Sequence, residues 1–127
     1  MITDCLTNRL YLSDCLPHKQ PVFYPLFKHV LEGIQIPFEF LPNTKDIWAV
    51  DFMPVQVRYN EFAQFTYNPD YLRPKKYRSF ITNVDSVCKA IDITTQKSAL
   101  VVDGGNVIKG RDKVIMCDKV FHENPQL

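Results

Sequence analysis

Apolar residues at Val22, Tyr24, Leu26, Phe27, Val30, Leu31 and Ile34 recur at helical spacing and predict a helix over 21–34. Gly33 near its end and Pro37 just beyond are stop signals. Pro25 falls within the first turn or so, where a missing amide donor is tolerated. Before this helix, Arg9–Ser13 reads as a short strand ended by Pro17; after it, Pro37–Leu41 reads as another, with a turn at Asn43-Thr44. Residues 47–59 alternate loosely through Val55, Val57 and Tyr59, and Asn60-Glu61 marks a hairpin turn into Phe62–Tyr67. Val84, Val87, Cys88 and Ile91 share one face of a second helix over 82–92, with Thr82 or Asn83 as its cap. Ser98–Asp103 is a nearly continuous apolar run, the pattern of a strand buried on both faces. Val107-Ile108 and Val114–Cys117 flank Lys109-Gly110-Arg111-Asp112, which reads as a hairpin.

The predicted order is strand, helix, strand, hairpin, helix, strand, hairpin, an α/β (α+β) chain. Helix 21–34 with strands 37–41 and 47–67 is followed by helix 82–92 with strands 98–117. The helix starts lie about 60 residues apart, the spacing of a repeated α/β module, although the two units share no sequence identity. Such modules cannot bury both faces alone, so further copies are expected beyond Leu127, and Glu123–Leu127 looks like an approach to another helix.

Composition narrows the class. At 127 residues, 46% hydrophobic and 23% charged, the chain is globular and one domain in length, or a piece of a larger one. A formal charge of +1 argues against a broad nucleic-acid or lipid surface. The one basic cluster, Arg73-Pro74-Lys75-Lys76-Tyr77-Arg78, reads as a solvated loop before a helix. Cys5, Cys15, Cys88 and Cys117 show no CxxC spacing and no histidine at a metal-ligand interval, so no metal is expected. Cys88 and Cys117 read as small core residues. No signal peptide or membrane-spanning run is visible, and a reduced, cytoplasmic location is the default expectation.

Two acidic residues end apolar, strand-like runs. Asp51 follows Ile47-Trp48-Ala49-Val50, where a carboxylate is costly unless a cation pairs with it. Trp48, three residues earlier, offers a flat wall for an aliphatic stem or a cation. The alternative is that Asp51 bonds turn amides near Pro54. Asp103 precedes Gly104-Gly105-Asn106, and glycine there permits positive φ or close approach to backbone. Asp103 could accept from a histidine N–H and fix its tautomer, or belong to an ordinary Asp-Gly turn. His18, His29 and His122 receive no catalytic role.

The stretches Asp46–Pro54 and Ala99–Ile108, with Val114–Pro125 after them, resemble successive segments of the bacterial agmatine deiminase and Porphyromonas-type peptidyl-arginine deiminase family. The resemblance runs from about Leu10 to the end. It implies a pentein, a fan of ββαβ modules about a pseudo-fivefold axis, of which residues 1–127 would form the amino-terminal portion with about two modules. It further implies hydrolysis of the guanidinium of agmatine or peptidyl-arginine to a ureido product plus ammonia, through a Cys thiolate and without a cofactor. By that resemblance Asp51 binds the guanidinium nitrogens, Trp48 lines the substrate channel, Asp103 orients the catalytic histidine or shapes its pocket, and Asn106 joins the substrate-binding set. Many relatives have Arg where this chain has Val50. The family's His-x-Asp motif and nucleophilic Cys lie in later modules, so residues 1–127 alone are expected to be inactive. The rival expectation is a non-catalytic module that binds partners or self-associates through uncovered module faces.

Overall fold

Strand β1 (Leu10–Ser13) and strand β2 (Phe38–Leu41) pair in parallel, with Leu10 opposite Phe38 and Ser13 opposite Leu41. Parallel neighbours need a crossover, and the intervening chain supplies it as helices α1 (Leu16–Lys19) and α2 (Phe23–Gly33). This is a computed structural model, and it describes residues 2–127. Pro17 does follow β1, and it sits in the first turn of α1. Pro25 is the third residue of α2 and breaks nothing. The α2 stop comes from Gln35, whose φ of 58° turns the chain so that the Ile36 amide reaches the Leu31 carbonyl at 2.9 Å. Leu31 is buried, with Tyr24 and Phe27 half-buried on the inner side. A second apolar row, Val22, Leu26, Val30 and Ile34, stands in solvent.

A hairpin of β3 (Val55–Arg58) and β4 (Glu61–Thr66) starts the next unit, turning at Tyr59-Asn60 with Asn60 at φ 58°. Helix α4 (Val84–Ala90) then crosses to β5 (Thr95–Val101), which runs parallel to β4, so the sheet order is β3-β4-β5. Asn83 caps α4, its side-chain oxygen accepting from the Ser86 amide at 3.1 Å. Val84, Val87 and Cys88 bury the inner face of α4 against Leu41, Phe52, Tyr67 and Leu72. A second hairpin, β6 (Val107–Lys109) and β7 (Val114–Met116), leads to α5 (Lys119–Glu123).

The chain is therefore mixed α/β, built from a βαβ piece, one ββαβ unit, and a hairpin followed by a helix. Each unit is led by its strands, and this replaces the helix-led grouping expected from spacing. Three further expectations are corrected. Residues 47–54 are no strand: Ala49–Phe52 forms a helical turn, α3, which buries Phe52 and turns Trp48 and Val50 outward. A straight strand could not have done both, because 48, 50 and 52 would share one face. Strand β5 is not buried on both faces, since among the described residues only β4 pairs with it and Gln96, Lys97 and Ala99 are exposed. Cys117 lies just past β7 and is exposed, whereas Cys88 is buried as expected. The basic cluster 73–78 is exposed along a 3-10 helix, Lys75–Phe80. Among the described residues no helix is long and apolar enough to cross a membrane.

The open end of β5 is closed by a side chain. Asn124 is 1% exposed; its Oδ1 accepts from the Val101 amide at 2.8 Å, and its Nδ2 donates to the Val101 and Val120 carbonyls, each at 2.8 Å. It thus imitates a paired strand at one position. Asn124→Ala leaves a buried amide and carbonyl unpaired and is expected to cost about 2 kcal/mol, read as a lower urea midpoint at unchanged m.

Candidate functional site

The two motifs, about fifty positions apart in the chain, meet in space. Turn α3 packs on the 3-10 turn Gly104–Asn106 that follows β5. Contact this close requires the absence of side chains on one partner. A Cβ on Gly104 would collide with the Val50 carbonyl oxygen, and a Cβ on Gly105 would strike Asp51 Oδ1. Neither glycine has positive φ. Of the two uses of glycine that the sequence left open, close approach is the one found.

Asp51 is half-buried, and its carboxyl is pushed above the usual carboxylate range. Burial is the main cause and the nearby negative charge of Asp103 the second, while hydrogen bonding from the Gly105 backbone opposes them in part. Among the described residues no ion pair involves Asp51, and its backbone partner is on the opposite motif rather than near Pro54. Trp48 stands at the start of α3, 61% exposed as a residue. Among the described residues Asp51 is thus a half-buried carboxylate in no ion pair, three residues along the chain from an exposed tryptophan.

Asp103 is 6% exposed and does not cap its own turn. No histidine of this chain reaches it in the described hydrogen bonds; the side chain on it is Lys119, whose Nζ donates to Oδ2 at 3.0 Å. The same ammonium lies 3.4 Å from Asp70 Oδ1, 3.7 Å from Glu123 Oε1 and 5.3 Å from the Tyr71 ring centre. Burial works against its charge, but Asp103, Glu123 and Asp70 outweigh that and hold it above its ordinary value. Burial first, then the neighbouring Tyr71, pushes the Tyr67 hydroxyl up. Asn106 is half-buried, its Oδ1 accepting from the exposed Cys117 thiol at 3.3 Å.

Three of the four residues singled out from sequence therefore come together directly: Asp51, Asp103 and, through its own turn, Asn106. Trp48 stands at the edge. Sequence reasoning missed Lys119, Tyr71 and Glu123. A single lysine in Cys117-Asp118-Lys119 carries no pattern of its own, and only tertiary packing puts it on Asp103. Among the described residues no group of His, Cys, Asp and Glu could hold a metal ion. The chain matches no protein-family model, no curated protein and no solved structure.

Proposed function

We propose that this chain is the amino-terminal part of a guanidine deiminase and supplies the carboxylate half of its guanidinium site. Asp51 carries the reading: a half-buried carboxylate that among the described residues has no salt-bridge partner, held against the Gly104-Gly105 turn and three residues from an exposed Trp48. A carboxylate accepts two parallel N–H bonds from a planar guanidinium, which combines charge with geometry. The indole wall suits the substrate's aliphatic stem. The ββαβ unit and the partial units flanking it support a pentein fan of such modules.

In the whole enzyme a Cys thiolate from a later module would add to the guanidinium carbon. Cleavage of a C–N bond would release ammonia, and water would then cleave the C–S bond to give the ureido product and free thiol. The substrate is agmatine or a peptidyl-arginine side chain. Cys117 is not that nucleophile, since its described partner is the Asn106 amide oxygen and no base stands on it.

Calorimetric titration of the chain with agmatine and with an arginine-containing peptide tests the proposal. Binding of either, without ammonia release, is the expected result. Absence of binding to both at millimolar ligand would remove it. The exposed apolar row of α2 favours a second reading, a non-catalytic module that self-associates. A defined oligomer in sedimentation, together with no guanidine binding, would select that reading instead.

A further inference from the structure

The geometry points to Lys119 as the positioning residue that sets the charge of this acidic site: its ammonium holds Asp103 as a paired anion and leaves Asp51 as the carboxylate open to an incoming cation. The inference rests on the guanidinium reading for its ligand. Its structural basis does not.

Several charged groups face this corner. From the α3 side come Asp51 and Asp46, the latter paired with Lys19 at 3.4 Å. Asp103 comes from the turn after β5, and Asp70 and Tyr71 from the 3-10 turn Asp70–Leu72. Glu123, on α5 one turn beyond Lys119, also accepts from the Asp70 amide at 3.2 Å and lies 3.9 Å from Arg73. Of all these groups, Lys119 alone reaches three carboxylates at once, and only one of the three is exposed, Asp70. Without its ammonium, Asp51 would face the negative charge of Asp103 with no Lys119 cation to offset it, and the Asp51 carboxyl would hold its proton to higher pH. With it, Asp51 gives up its proton more readily, and a guanidinium meets an open carboxylate.

Lys119→Gln separates this role from simple scaffolding through the pH profile of agmatine binding. At about pH 8 affinity is expected to hold or rise, because a repelling charge has gone. The acid limb is expected to move to higher pH, so that the variant binds several-fold less agmatine than the wild type on that limb. Lys119→Arg should restore the wild-type profile. A loss of affinity that is uniform across pH, or an unmoved acid limb in a variant with wild-type far-ultraviolet circular dichroism, would overturn the inference. Lys119→Gln leaves Asp103 buried without a partner, so the double variant Lys119→Gln/Asp103→Asn serves if the single one does not fold. Asp103 raises the Asp51 carboxyl more than Lys119 lowers it, so the double variant's acid limb should lie below that of the wild type; a limb at or above it would also refute the inference. Carbon-13 titration of the carboxyls in the same proteins needs no ligand. If the wild type binds no guanidine but those titrations shift as stated, the substrate reading fails and the role of Lys119 stands.

Discussion

Asp51→Asn is expected to abolish guanidinium binding and, at the same time, to stabilise the protein at neutral pH. Loss of two charge-assisted hydrogen bonds corresponds to a fall in affinity of about a hundredfold or more. The gain in stability follows from the direction of the Asp51 shift. Its carboxyl is raised in the folded chain above its ordinary value, by burial and then by Asp103. The native state therefore holds that proton more tightly than the unfolded state does. Folding is favoured below the unfolded value and loses ground as pH climbs through the raised native value. An amide at position 51 cannot ionise and escapes that loss. The difference in melting temperature between variant and wild type should be positive at pH 7 and disappear near about pH 3. A variant that binds agmatine as well as the wild type would remove Asp51 from the site; one that melts lower at pH 7 would mean that the Gly105 hydrogen bond outweighs the charge repulsion.

Gly104→Ala should be the most damaging single methyl in this region. The obstacle is the Val50 carbonyl oxygen, part of the backbone, and it cannot rotate away. Either α3 or the 104–106 turn must shift, and a cost of about 3 kcal/mol follows, a large share of an ordinary domain's stability. Gly105→Ala differs in kind. There the added carbon meets the end of the Asp51 side chain, which can swing aside. Stability should change little, while guanidinium affinity falls about as far as in Asp51→Asn. Denaturant melts paired with calorimetry would separate the two. Equal destabilisation by both substitutions would contradict the packing of α3 on this turn.

Local patterns carried much of the architecture. Strands β1 and β2, both hairpins and helices α2 and α4 follow from periodicity, from Asn60 and Gly110 at turns, and from the Asn83 cap. Two failures share a cause. Ile47-Trp48-Ala49-Val50 and Ala99-Leu100-Val101-Val102 are unbroken apolar runs, and a run without period does not distinguish a helical turn from a strand, or an edge strand from a central one. In the second run only Val102, already beyond β5, is deeply buried. The site was legible as two motifs and not as an assembly. Asp51 and Asp103 announced themselves by interrupting apolar runs. Lys119 and Asn124 gave no such signal, because their roles depend on which distant backbone or carboxylate they meet.

Trp48 is the chain's single tryptophan, and its ring already stands mostly in water. Tryptophan emission, excited where the six tyrosines do not absorb, accordingly originates at one spot, the exposed start of α3. Denaturation would change its colour little, since the fluorophore is wet before the chain melts. A docked cation or aliphatic stem would displace that water and alter the intensity. If a guanidine docks as proposed, its occupancy is thus readable from one unlabelled fluorophore that is nearly blind to unfolding.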